Sequence, residues 1–214
     1  MIPARFISIE GGEGCGKSTQ ARLLADWLQG QGVPVVLTRE PGGTAGAEAI
    51  RQLLLHPPES QQWLPEAEAL LFAAARSDHV ARVIRPALSS GKWVVTDRFI
   101  DSSLAYQGVA GSLGMDPVNS LHRIGSKALL PDRTILLQVT SDEAARRLAL
   151  RDRGQADAIG GRSHEYHVRV AEAFTSLAKS EPARFVIIDA DRDADQVHQR
   201  IVSVINTLTH EPAV

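Results

Sequence analysis

Short apolar runs, many of them β-branched, alternate along this chain with longer stretches whose apolar residues recur every three or four positions. The short runs predict strands at Arg5–Glu10, Pro34–Thr38, Lys92–Thr96, Arg133–Val139 and Arg184–Ile188. The longer stretches predict helices at Lys17–Gln29, Ala45–Leu55, Pro65–Leu88, Ser102–Gln107, Pro117–Ala128, Asp142–Arg151, Ser163–Lys179 and Ala194–Leu208. Such alternation predicts an α/β fold, a parallel sheet covered by helices on both faces. In sheets of this kind ligands bind beyond the carboxyl ends of the strands. Glu10, Glu40, Asp97 and Asp189 stand at or just after four of those ends. Together they point to metal and hydroxyl binding, which one alone would not.

Between the first strand and the first helix the chain reads Gly11-Gly12-Glu13-Gly14-Cys15-Gly16-Lys17-Ser18-Thr19. This is the phosphate-binding pattern G-x-x-x-x-G-K-[ST] in its required place. Glycines let the backbone wrap an anion with its N–H groups inward, and the helix that follows turns its positive N-terminus to the same anion. Lys17 supplies a point charge for the β and γ phosphates of a nucleotide, and Ser18 a hydroxyl for Mg²⁺. Cys15 inside the loop reads first as a small side chain at a crowded position, with a redox switch as the alternative.

The remaining chemistry is weaker one block at a time. Asp97-Arg98 ends a buried strand, where a phosphate-loop enzyme places a second Mg²⁺-directed carboxylate. The arginine beside it can fork onto a second phosphate. Arg39-Glu40-Pro41-Gly42-Gly43 is, by itself, a turn. Phe72 and Arg76 share a helix face at i and i+4. Spacing alone favours a core Phe with a solvated Arg over a pair that grips a nucleobase. His164, Glu165 and His167 have no evident third ligand and read as a solvated face. Residues 153–163, with three glycines and two arginines, read as a mobile basic flap or a plain surface loop.

Composition narrows this further. The 214 residues, 43% hydrophobic and 22% charged, suit one domain spanning 1–214. A net charge of −2 offers no general attraction to a nucleic-acid polymer or an anionic membrane. The single cysteine excludes an internal disulfide and suits a reducing cytoplasm. There is no signal-peptide pattern and no apolar run of membrane-spanning length. An Asn-Lys-x-Asp run, which a GTP switch would need, is absent.

Taken as an ordered set, Phe6–Thr19, Thr38–Thr44, Leu71–Arg76, Asp97–Phe99 and Asp101–Gly108 resemble the bacterial thymidylate kinases. The resemblance runs from about Phe6 to Asp189. It implies a P-loop kinase fold with a five-stranded parallel sheet and a mobile lid at about 147–163. It also implies transfer of the ATP γ-phosphate to dTMP with Mg²⁺, and a homodimer. On matching positions it implies that Lys17 and the loop amides hold ATP, and that Glu13 accepts from the sugar 3′-hydroxyl. It implies that Arg98 and Arg51 clamp the dTMP phosphate, with Asp97 ordering Mg²⁺ through water. Phe72 would stack on thymine, Arg76 would donate to O4, and Ser103 and Gln107 would complete the base contacts. The lid departs from the family, reading Asp157-Ala158-Ile159-Gly160 where an arginine and a glutamate are usual. Arg153 is then the expected main lid cation, with Arg147 in support and Arg162 as a replacement. Another nucleotide or deoxynucleoside kinase, or a nucleotide-dependent switch, is the alternative reading.

Overall fold

The computed structural model describes residues 3–58, 62–152 and 157–210. Strands β1 (Phe6–Glu10), β2 (Val35–Arg39), β3 (Trp93–Asp97), β4 (Arg133–Gln138) and β5 (Phe185–Asp189) form one parallel sheet in the order β2-β3-β1-β4-β5. Side chains alternate between the faces of a strand. Phe6, Val94 and Leu136 accordingly face one core, and Ile7, Ile9, Val95, Ile135 and Leu137 face the other. Helices α1 (Lys17–Gly30) and α9 (Ala194–His210) cover the second face. The first face is covered mainly by α8 (His164–Ser180) and by the helical segments around Val80–Ala87 and Ile100–Val118.

The remaining helices are α2 (Ala45–Leu55), α3 (Pro65–His79), α4 (Arg85–Ser89), α5 (Ile100–Ser103), α6 (Met115–Ser126) and α7 (Ser141–Asp152). Each predicted element is present, with ends moved by one or two residues in most cases. Two helices differ in kind. The expected single helix over 65–88 widens into a π-helical turn at Val80–Ile84 before continuing as α4. Pro86 explains this: its ring has no N–H to give and crowds the carbonyl four residues back, so the chain opens just before it. The expected Ser102–Gln107 helix is α5 running into a π-helical stretch, Leu104–Ala110, buried at every residue except Val109.

Register puts the site in place. Ile9 and Arg39 both pair with Asp97, so β1, β3 and β2 leave the sheet at one level. The phosphate loop, the turn at Asp97-Arg98 and the turn at Glu40–Gly43 therefore surround one depression.

Candidate active site

The phosphate loop connects β1 to α1. Gly14 has φ 75, and a Cβ there would lie 2.7 Å from the Ala144 carbonyl, so any side chain would push α7 away. Gly16 caps α1 in the left-handed conformation. Lys17 is folded inward, and its Nζ donates to the Gly12 carbonyl at 2.5 Å. The buried Cys15 thiol donates to the same carbonyl at 3.1 Å and packs among core residues, which is the crowded small-residue role. Ser18 donates its hydroxyl to Asp97 Oδ2, while Asp97 Oδ1 is buried without a hydrogen-bond partner.

Arg98 follows with φ 71, uncommon for a residue with a side chain, and this turn aims its guanidinium back at the loop. It donates to Glu13 Oε1, to Ser102 Oγ at 3.1 Å and to the Gly11 carbonyl at 3.3 Å, and it lies over the Tyr106 ring at 4.9 Å. Burial works against its charge, but Tyr106, Glu13, Asp97 and Glu10 outweigh it, and its pKa is held above the ordinary arginine value. Glu10 is fully buried and accepts from the Phe99 N–H at 2.7 Å and Ser102 Oγ at 2.6 Å. Burial first, then Asp101, pushes its carboxyl up to about 8. It fastens the turn that presents Arg98 and does not line the cleft.

On the other side of the cleft Arg76 is 3% exposed. It donates to Glu40 Oε2 at 2.7 Å and to Ser103 Oγ at 2.6 Å, and sits 5.6 Å from the centre of the Phe99 ring. Glu40 also meets His79 Nδ1 at 3.0 Å, and His79 Nε2 meets Thr38 at 2.7 Å. Gly43 passes so close that a Cβ would lie 2.6 Å from both His79 and Thr38. The stretch read as a plain turn is thus the support for Arg76. Gln107 donates to Glu68 Oε1 at 2.8 Å, and Arg51 donates to the Pro41 carbonyl at 2.9 Å. Desolvation, then Arg39 nearby, lowers the Arg51 pKa.

One cleft of about 620 Å³ joins these parts. Glu13, Lys17, Ser18, Arg51, Phe72, Arg76, Asp97, Arg98, Ser103, Gln107 and Arg147 all line it, as do Gly14, Gly16 and Thr19. Gly11, Gly12 and Cys15 belong to the loop without lining the cleft. Arg147 is shared between Glu143 at 2.5 Å and the Ala190 and Arg192 carbonyls at 2.9 and 3.1 Å.

Two expectations change, and a third falls where the structure does not describe the chain. Asp189 is not part of the site: it ends the edge strand, is half exposed, and meets Arg192 and Arg200 at 3.3 Å. Arg162 is not a spare phosphate ligand, because it is committed to Glu68 and to the Tyr166 hydroxyl. Arg153 lies outside the described residues. The part of the flap at 157–163 packs down, with Asp157 accepting from the Ile159 and Gly160 N–H groups and Ala158 N–H bonded to the Leu55 carbonyl at 3.3 Å. Among the described residues no group of three His, Cys, Asp or Glu side chains could hold a metal, and His164, Glu165 and His167 do not form one.

Glu40, Glu68, Ser102 and Tyr106 were not singled out by the sequence for individual roles. The acids after strands were a usable signal for Glu40. The partners of Glu68 lie 39 and 94 residues away, beyond any motif.

A phosphate loop whose cleft continues into a second, arginine-lined pocket does more than bind a nucleotide. It can set a donor phosphate against a second bound molecule, which is the design of a P-loop nucleotide kinase. The family model for thymidylate kinase matches residues 9–201. The thymidylate kinase of Rhizorhabdus wittichii is 51% identical over 207 residues, covering 97% of this chain and 99% of its own. That of Symbiobacterium thermophilum is 50% identical over 196 residues, covering 92% and 90%. The crystal structure of thymidylate kinase from Ehrlichia chaffeensis superposes with a TM-score of 0.76 at 33% identity, covering 95% and 99%. The chain belongs to the thymidylate kinase family. Among its described residues no helix is long and apolar enough to cross a membrane.

Proposed function

We infer that this protein transfers the γ-phosphoryl group of ATP to dTMP, giving ADP and dTDP. The observation that carries this reading is the single cleft: the phosphate loop at one end, Phe72, Arg76, Ser103 and Gln107 at the other, and Arg98 between them. Family membership supports the same substrates. Arg98 and Arg51 favour an acceptor that already carries a phosphate over a plain nucleoside, because a bidentate cation is wasted on a hydroxyl.

The family resemblance and the lining of the cleft support the following roles. Lys17 and the loop amides hold the donor phosphates. Glu13, on the rim, accepts a hydrogen bond from the sugar 3′-hydroxyl. Phe72 stacks on the base and Arg76, held by Glu40, donates to O4. Mg²⁺ fits beside Ser18, since Asp97 Oδ1 is the one atom of that carboxylate left without a partner. Ser18 and Asp97 would hold it, Asp97 through water, and the bound ion supplies neutralisation of the β and γ oxygens. Most of the catalysis is positioning and charge neutralisation, with Arg153 as main lid cation and Arg147 in support.

The same reading includes one domain over 1–214 with a lid at 147–163, a cytoplasmic location and a homodimer. Ile124 on α6 is 79% exposed and Leu70 on α3 is 56% exposed, on two helices that pack together, which supports a covered face in the dimer.

A coupled ADP-release assay against a panel of nucleoside monophosphates tests the substrate. dTMP should be used best and dUMP less well, since a missing methyl in an apolar pocket costs roughly 1–3 kcal/mol. dCMP should hardly be used, because its amino group would meet Arg76 donor to donor. Equal turnover of dCMP and dTMP, or preference for an unphosphorylated acceptor, would sink this reading.

A further inference from the structure

We propose that Glu68 sets which pyrimidine the pocket accepts, by fixing the orientation of the Gln107 side-chain amide. The proposal rests on the reading of the cleft as a dTMP site. A glutamine amide has a donor end and an acceptor end, and it can turn either way. An ionised carboxylate only accepts. Gln107 must therefore turn its NH₂ to Glu68, at 2.8 Å, which leaves the amide oxygen as the end available to the cleft that Gln107 lines. An oxygen there matches the ring N–H at position 3 of thymine or uracil. It opposes the bare ring nitrogen of cytosine.

The arrangement is a closed circuit. The other Glu68 oxygen accepts from Arg162, whose guanidinium donates to the Tyr166 hydroxyl at 2.5 Å and stacks on that ring at 4.7 Å. The Tyr166 hydroxyl donates at 2.8 Å to the backbone carbonyl of Tyr106, the residue before Gln107. Glu68 is 6% and Gln107 3% exposed, so little water can stand in for a wrongly turned amide. Arg162 thereby serves base selection and not phosphate transfer. Glu68 is a positioning residue; it acts on the base only through Gln107.

The test is Glu68→Gln. Arg162 can only donate, so the new amide turns its oxygen to Arg162 and its NH₂ to Gln107. Gln107 then turns over and presents NH₂ to the base. We expect kcat/KM for dTMP to fall about tenfold or more, mainly through KM, and the dCMP-to-dTMP ratio of kcat/KM to rise by a similar factor. Equal losses on both acceptors, with the ratio unchanged, would make Glu68 a structural group and overturn the proposal. Failure of the unaltered protein to use dTMP would instead sink the functional reading. The 3-deaza analogue of dTMP, which carries C–H at position 3 and a hydroxyl at position 4, gives a measurement that needs no variant, with equal use as its decisive outcome. The unaltered protein should use it about tenfold less well than dTMP. Equal use would mean that no acceptor faces position 3, and the role of Glu68 would fall with it.

Discussion

At the base end of the cleft the polar side chains already hold one another. Arg76 is gripped by Glu40 and Ser103, and Gln107 by Glu68, which Arg162 secures in turn. At the phosphate end, Arg98 and Arg147 apart, the partners are provisional. Lys17 rests on a neutral carbonyl of its own loop, Arg51 rests on another, and Asp97 Oδ1 has no partner. The difference matches the ligands. A neutral base contributes little energy per contact, so its pocket must be rigid beforehand or ordering costs would consume the gain. A polyphosphate brings charge, and a cation that leaves a carbonyl for a phosphate oxygen makes a stronger, charge-assisted bond. The rigid end selects, and the provisional end responds.

The sharpest attack on this comparison is on the lid cation. Arg153→Ala should lower kcat by on the order of 10³, by analogy with arginine fingers, while dTMP affinity changes little. Steady-state kinetics with both substrates varied would show it. A kcat within a few-fold of the parent would pass the role to Arg147, which is already anchored to Glu143 and two carbonyls. The phosphate end would then be pre-built like the base end.

Glu13 sits where the two ends meet, accepting from Arg98 and, at 3.3 Å, from the Tyr106 hydroxyl. Hydrogen bonds to charged groups contribute about 1.5–3 kcal/mol, so Glu13→Gln should reduce dTMP turnover by tens-fold. An acceptor lacking the 3′-hydroxyl should be much less sensitive. Equal losses on both acceptors would make Glu13 a prop for Arg98, on the rigid side of the divide.

The smallest effect concerns acid and the rigid end. His122 packs edge-on against Phe99 at 5.7 Å, the ring that also faces Arg76. Burial first, then the charge of Arg76, lowers its pKa from 6.5 to about 4. The unfolded chain therefore binds more protons than the folded one across that window. The stability tied to neutral His122 is complete above pH 6.5 and is lost as the pH falls towards 4. Thermal melts between those values should show Tm falling on acidification, with a shallower fall in His122→Gln. An identical slope in the variant would detach His122 from the acid response.

The strands, most of the helices and the phosphate loop were legible because each rests on local pattern: alternation, helical period, and glycines where the backbone needs them. The cleft-lining residues became legible only as an ordered set resembling a family. Spacing alone left Phe72 and Arg76 as a core residue and a solvated one. What stayed hidden was the support. Glu40 looked like part of a turn because its partners, Arg76 and His79, lie more than thirty residues on. Arg162 looked like a lid cation because a basic flap beside a phosphate loop invites that reading. Only the fold brings Glu68 to it. The π-helical turns were equally hidden, since hydrophobic period does not separate them from α-helix.

The strand order has a consequence for the making of the protein. β1 carries the phosphate loop and is synthesised first, yet it lies in the middle of the sheet. On the ribosome it gains one neighbour when β3 emerges at residues 93–97, and its other edge waits for β4 at 133–138. For the time taken to make the residues between, an apolar strand with an open edge is exposed to other nascent chains. A chain stalled before residue 133 should aggregate, whereas one stalled after β5 has emerged should stay dispersed. The segment that defines the activity is thus the one most dependent on prompt completion of the rest.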